Sequence, residues 1–349
     1  MDRVLGIVAD QVSVGVRQMC SRVGIAQMGF RKASGHLNHL AQIRISAERL
    51  RQIVEQEGGR VMTAQSQGQI AVSLTPERAR VSPDGPTRIY VGADGVMVPM
   101  VTAAEKAKRR ARRARKRSGS PRRRTHRGAD NAYKEFKIAT FYEQSNEHRQ
   151  VIATAGDHTV IGRMIRREAK RLGLNLFDQK LGLGDGADWI LRQLAIYLSS
   201  LDQFMLDFYH FSEHIWSASN TCWGLASDAA RQFAEDLLHK ARHEGPAAVL
   251  AALETERRKH PGGRKRQALQ ELMGYLTKRT PYCEYPRYRS EGWQIGSGPT
   301  EAMCKVLTYR LKGAGMRWDR QGAEPIMALI ALEQSDTWEN YWAARRKVA

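Results

Sequence analysis

The chain has 349 residues, 42% of them apolar, and a formal charge of +20 from 56 Lys and Arg against 36 Asp and Glu. That length exceeds the usual single compact core, so two or three domains, or one large domain with insertions, are expected; no run of 18 apolar residues marks a membrane-spanning helix. Residues 106–127 hold 13 Lys or Arg and no acid, which leaves +7 for everything else, so the basicity is mostly an arm suited to a nucleic-acid phosphate.

From Gln18 to Glu57 apolar residues recur at helical spacing, and RKASGHLNHLAQIRISAERLRQIVEQEGG reads as two helices parted by a turn near Ile43 to Ser46. Ser46 is the expected N-cap and Gly58-Gly59 the expected stop. The pair fits either a plain helical hairpin or a helix-turn-helix, whose second helix would offer Arg49, Arg51 and Gln52 to a DNA groove.

TRIYVGADGVMVPM reads as a buried strand ending at Asp94-Gly95, and YKEFKIATFYEQ as the next strand. The arm between them is then a long insertion joining neighbouring strands. Arg112, Arg113, Arg115, Arg122 and Arg123 are its candidate DNA contacts, although a charge run without interleaved aromatics is usually a solvated segment. Six to ten phosphate contacts there would make affinity fall by roughly 10³ to 10⁵ between 50 and 200 mM salt.

TVIGRMIRREAKRLGL is amphipathic and basic, LFDQKLGLGDGADWI is a return strand with Asp185 at its end, and QFMLDFYHFSEH is a further strand closing at Asp207. From Asp228 to Thr280 the pattern is helical, with breaks at Gly245-Pro246 and Pro261-Gly262-Gly263, and a last helical portion starts near Pro299. Cys20, Cys222, Cys283 and Cys304 are scattered without metal or disulfide spacing, and MDRVLGIVADQ lacks a cleavage-type signal, so a reducing cytoplasm is expected.

Three carboxylates stand where a buried element ends or begins: Asp94, Asp185 and Glu301. Acids converging from distant segments repel unless they share a cation, and hard oxygen ligands select Mg²⁺ or Mn²⁺. Each has a plainer reading. Asp94-Gly95 could be a hairpin turn. Asp185 lies in Gly182-x-Gly184-x-x-Ala187, a weak dinucleotide-type pattern discounted because QKLGLG is a poor strand-to-helix opening. Glu301 could be a capping-box acid behind Ser297 or Gly298 and Pro299; against this, Glu301, Lys305, Thr308 and Lys312 share one helical face, with the apolar Met303, Val306, Leu307 and Leu311 on another. His210, Glu213 and His214 form H-x-x-E-H, a zinc-hydrolase motif. That motif needs a continuous helix, whereas MLDFY before it reads as a strand end, so a structural or supporting role is expected.

Together, DG-V-VP, GDGADWI, LDFYHFSEH, GSGPTEA-CK, RLKGAGMRW and GAE-IMALIAL resemble the DDE transposases of bacterial insertion sequences, the Kra-type group above all, over nearly the whole chain. The resemblance implies an α/β fold: a ribonuclease-H-like mixed-sheet catalytic core interrupted by an all-helical insertion and preceded by a helical N-terminal region. The boundaries would be 1–85 for the helical region, 86–215 for the first part of the core with the arm at 106–127, 216–290 for the insertion and 291–349 for the helices completing the core. It implies a polynucleotidyl transferase in which Asp94, Asp185 and Glu301 hold two Mg²⁺ ions, replaceable by Mn²⁺, about 3.5 to 4 Å apart, with Asp207 and His210 as supporting neighbours and Asp207 as the rival second acid. Lys305 and Lys312 would contact phosphate. The partners implied are double-stranded DNA, as element terminal repeats and target, and further copies of the chain in a dimer or larger assembly, in the nucleoid-associated bacterial cytoplasm. Members of the group usually carry an upstream segment, so a shortened copy is one expectation. The alternatives are an inactive derivative that binds element ends as a regulator, a nuclease that cuts without joining, and a zinc hydrolase using His210, Glu213 and His214.

Overall fold

The computed structural model describes residues 12–117, 133–313 and 316–348. Its centre is one mixed sheet of five strands: β1 (Arg88–Pro99), β2 (Tyr133–Tyr142), β3 (Arg149–Thr154), β4 (Gln179–Gly184) and β5 (Gln203–Leu206), in the order β3-β2-β1-β4-β5. The first three pair antiparallel, while β4 lies parallel to β1, and β5 parallel to β4. The parallel pairs need crossovers. Helices α5 (His158–Arg171) and α6 (Asp188–Tyr197) lie on the two crossing segments and cover one sheet face.

Alternation along β1 sorts its side chains between faces. Ile89, Val91 and Ala93 join Ala139, Phe141 and Ile152 against Ile161, Ile165, Ile190 and Leu194 of α5 and α6. Tyr90, Val96 and Val98 point the other way, where two separate cores meet the sheet. One core packs Tyr90, Tyr142, Leu181 and Leu183 beneath α7 (Phe208–Trp223), α8 (Asp228–His243), α9 (Pro246–Arg258), α10 (Gly263–Arg279) and α11 (Tyr285–Ser290). The other packs Val98, Phe136, Ile138 and Val151 beneath α1 (Val14–Ala26), α2 (Phe30–Ala41), α3 (Ala47–Ser66), α12 (Gly298–Tyr309), α13 (Arg320–Gln334) and α14 (Trp338–Val348). Asp94 belongs to this second face by alternation, between the two cores.

The N-terminal helices are therefore part of a shared core with the C-terminal ones. Glu57 of α3, wholly buried, accepts hydrogen bonds from Tyr341 and Arg345 of α14 and from Arg60, and faces the buried Arg17 of α1 at 3.5 Å. Such a charge is tolerable inside only because it is surrounded by donors.

Four expectations need correction. β1 does not end at Asp94-Gly95; it continues to Pro99, and both residues pair with β2, opposite Ile138 and Lys137, so the hairpin reading is also excluded. What ends there is the parallel ladder with β4, whose last partners are Gly92 and Leu183. Secondly, α3 is capped by Ser46, whose hydroxyl accepts from Arg49 N, but it runs through Gly58-Gly59 to Ser66. A Cβ on Gly58 would lie 2.2 Å from the Pro325 carbonyl oxygen of α13, so this glycine serves a close helix crossing. Thirdly, QFMLDFYHFSEH is a strand only to Leu206; a helix begins at Phe208 with Asp207 as N-cap. Finally, QKLGLG does lead from a strand into a helix, β4 into α6.

The arm is also more ordered at its start than a solvated run. Helix α4 (Ala103–Arg117) opens with a reciprocal capping box in which Thr102 N donates to Glu105 and Glu105 N to Thr102 Oγ1. The Thr102 amide, Lys134 and the Thr102 hydroxyl hold the Glu105 carboxyl down at about 2. Arg112 is exposed on α4; the side chains of Arg113 and Arg115, and all of Arg122 and Arg123, lie outside the described residues. Among the described residues no helix is long and apolar enough to cross a membrane.

The two adjacent glycines of α3 should behave oppositely. Gly58→Ala is expected to destabilise by about 1–3 kcal/mol through overpacking. Gly59→Ala, whose new Cβ meets nothing within 4 Å, should stabilise by about 0.5–1 kcal/mol. Urea unfolding of the two variants checks the sign of each.

Candidate active site

A cleft of about 350 Å³ opens on the sheet face between the two cores and is lined by Asp94, Asp185, Asp207, His210, Glu213, Glu301, Lys305 and Lys312, among others. The sheet brings two acids there. Asp94 projects from the middle of β1 where β4 no longer flanks it, and Asp185 follows the last residue of β4. The third comes from α12, which crosses the face with Glu301 in its first turn.

α12 can lie this close because β1 carries a glycine beneath it. A Cβ on Gly92 would stand 1.9 Å from Thr300 Oγ1, and that hydroxyl instead meets Thr140 Oγ1 of β2 at 2.7 Å, both side chains being buried. One turn further on, the Cys304 thiol lies 3.4 Å from Asp94 Oδ2 as donor, while Gly95 N donates to Oδ1 at 2.6 Å.

Asp207 differs from the other acids in tying two helices together. It is 1% exposed; Oδ1 caps α7 by accepting from Tyr209 N at 2.6 Å, and Oδ2 accepts from both the amide and the hydroxyl of Ser297. It thus fastens the start of α7 to the residue preceding α12. The Ser297 hydroxyl, expected as an N-cap, is spent on this tie and makes no cap hydrogen bond to α12. Glu301 is left exposed towards the cleft, with only a long 3.5 Å contact to Ser297 Oγ.

Electrostatics mark Asp94. Burial pushes its carboxyl above the usual carboxylate range, and the neighbouring Asp185 and Glu135 add to this, against the Gly95 amide and the Cys304 thiol. Cys304 is itself pushed well up by burial and by Asp94. Asp185 keeps one hydrogen bond, from Ala187 N to Oδ1 at 2.8 Å, in the tight turn where Gly186 adopts φ +71°. A dinucleotide pyrophosphate would meet this carboxylate at the turn that should cradle it.

The expected polar face of α12 holds only in part. Lys305 and Lys312 line the cleft, but Thr308 is buried and donates back to Cys304 O at 2.6 Å, and Lys312 lies beyond the helix end at Tyr309. Arg49, Arg51 and Gln52 are not brought to the cleft. Arg51 is held by Glu48 and Glu55, and Gln52 donates to Glu48.

The H-x-x-E-H residues do lie on a continuous helix, contrary to the sequence reading. His210 and His214 share a face of α7 with their Nε2 atoms 3.3 Å apart, His214 stacks on Tyr275, and His210 Nδ1 lies 3.4 Å from Glu213. Burial, then His210 and Arg279, pulls His214 below the usual histidine range, which favours the neutral ring. Among the described residues no three His, Cys, Asp or Glu side chains close around a single point as an ion's ligands. Asp94, Asp185 and Glu301 nevertheless fit a hard divalent cation by donor type, and the raised affinity of Asp94 for a proton is what unshared repulsion and burial produce.

Thr300, Thr140 and Gly92 are site residues that the sequence reading did not single out, and it took Ser297 only as a helix cap and Cys304 only as a scattered cysteine. One signal was present: a glycine inside a strand, as at Gly92, marks close approach of another element. No protein-family model matches this chain, and no curated protein matches it.

Since Asp94 binds its proton more tightly folded than unfolded, its contribution to stability is fully present below the unfolded value near 3.9 and is lost as pH rises through the folded value. Asp94→Asn is therefore expected to raise stability at pH 7.5 by about 0.5–2 kcal/mol, an advantage that disappears near pH 4. Mg²⁺ should raise the unfolding midpoint of the wild type but not of this variant; calorimetry with and without the ion reads both effects.

Proposed function

We propose that the protein is a DDE-type DNA transposase, cleaving DNA strands at the ends of an insertion sequence and joining them to target DNA. The observation that carries this reading is the meeting of Asp94, Asp185 and Glu301, from three distant segments, in one cleft beside Lys305 and Lys312. The strand order β3-β2-β1-β4-β5, with its first three strands antiparallel and the rest parallel, supports a ribonuclease-H-like core, and the helices from α8 to α11 support an all-helical insertion ahead of the last acid.

In this reading Asp94, Asp185 and Glu301 hold the divalent cations. When bound, these would make a water or a 3′-hydroxyl a stronger nucleophile and stabilise the leaving oxygen. Lys305 and Lys312 hold the flanking phosphates by charge. Asp207 is a positioning residue: through Ser297 it fixes the origin of α12, and with it the placement of Glu301 relative to the sheet acids. The first step hydrolyses the strand at the element end, and the freed 3′-oxygen then displaces a target 3′-oxygen at phosphorus, so that one phosphodiester bond forms as another breaks. Double-stranded DNA is the substrate, and pairing of two element ends calls for a dimer or larger assembly.

A second reading, a zinc hydrolase, is favoured by the shared face and spacing of His210 and His214. It lacks a third ligand among the described residues. Stoichiometric zinc retained on purification and lost in His214→Ala would support it.

The deciding experiment is strand cleavage and joining on DNA carrying the element's ends, with Mg²⁺. Asp185→Asn should abolish both steps while keeping end binding. Asp207→Asn should slow cleavage by about 10–100-fold and raise the Mg²⁺ concentration needed, with end binding unchanged. A wild type that binds ends and never cuts them overturns the enzymatic reading in favour of a regulator.

A further inference from the structure

A second cleft of about 480 Å³, sharing no lining residue with the carboxylate cleft, lies between the start of α2, α3, α4, the residue that closes α12 and the segment leading into α13. Its charge is opposite in sign. Arg51, Lys106, Arg109, Arg310 and Arg317 face Glu55 and Asp319, and the two acids are already engaged, Glu55 by Arg51 and Asp319 by Lys106. Arg109, Arg310 and Arg317 are left without an acid of the cleft to neutralise them.

Arg310 is the unusual member. It is 2% exposed, lies between Phe30 and Trp318 with its guanidinium 4.8 and 5.2 Å from the ring centres, and donates from Nε to Gly24 O at 3.0 Å. Its Nη2 is buried with no hydrogen-bond partner, and so is Nη2 of Arg109 on α4. Burial pulls Arg310 down to about 10, so it is still charged at neutral pH. Buried N–H groups of a charged side chain are costly to leave unmade, and the two arginines that carry them line one cleft, Arg310 held against two aromatic rings. Guanidinium pairs match phosphate oxygens in shape as well as charge.

We propose that this cleft binds a phosphate group of a DNA backbone, gripped by Arg310 and Arg109 with Arg317 at the rim, as a site separate from the carboxylate cleft. α4 then has a physical task. Its helix brings Arg109 to the cleft. The choice of DNA as the source of the phosphate rests on the function proposed above; binding of phosphate itself does not.

The test uses the full chain and two probes. Inorganic phosphate, added at constant ionic strength against chloride, should raise the unfolding midpoint of the wild type, with phosphate affinity falling about tenfold in Arg109→Gln and in Arg317→Gln. Arg310→Met should lose the effect; if that variant fails to fold, the two others, at half-buried and exposed positions, still decide. With duplex DNA, the slope of log affinity against log salt should be shallower by about 0.9 in Arg109→Gln and unchanged in Asp185→Asn. Phosphate that fails to stabilise the wild type, or stabilises wild type and variants alike, overturns the site, whatever becomes of the strand-transfer reading. Phosphate binding that depends on the arginines, combined with an unaltered DNA salt slope, overturns the backbone assignment and leaves a small phosphorylated ligand as the occupant.

Discussion

The seating of α12 on β1 is the constraint on which the rest of the molecule depends. The Thr300 side chain of α12 approaches Gly92 until only a hydrogen fits there, and a pair of buried threonine hydroxyls closes the contact. Everything polar near it follows from that approach. Glu301 lines the same cleft as the sheet acids, and Cys304 touches Asp94. Hydrophobic packing on either side makes the approach rigid, since Leu307 and Met303 sink into the core shared by both ends of the chain.

Electrostatics and packing pull in opposite directions here. Burying Asp94 next to Asp185 costs stability, and burying Arg310 without an acid does so again just past the end of α12. The cores on both sides offset these costs. Glu57 shows the contrasting solution, a buried charge ringed by Arg17, Arg60, Tyr341 and Arg345. That carboxylate faces cations of its own chain, whereas Asp94 is met by an amide and a thiol and Arg310 by carbonyls, a sulfur and aromatic rings.

Much of this was legible in the sequence where local chemistry and tertiary role coincide. Apolar runs ending in Gly-flanked acids located Asp94 and Asp185, and the Pro299 signal placed Glu301 at a helix start. Ser46 was readable as a cap, and Gly245-Pro246 as a break, because the same residue types act through their own backbone. The misreadings fall where a distant partner decides. Gly58 looked like a stop because nothing local reveals Pro325 across the crossing. The start of α7 looked like strand because Phe208, Tyr209 and Phe211 are as suited to a sheet as to a helix until Asp207 caps the turn. β3 was passed over because Arg149–Thr154 is short, although Asn146, with φ +58°, marks the hairpin that leads into it. Thr140 and Thr300 lie 160 residues apart, and no pattern in either neighbourhood points to the other.

The tie between Asp207 and Ser297 spans 90 residues of chain, and almost all of what lies between is helix whose contacts are near in sequence. Those helices can assemble early and by themselves, since local contacts close quickly, while the tie must wait for both of its ends. A chain emerging from the ribosome would thus hold a finished sheet and a finished helical bundle while Glu301 is still apart from the two sheet acids. Until Ser297 arrives, Asp207 has no hydroxyl to grip, and the origin of α12 has no anchor on α7.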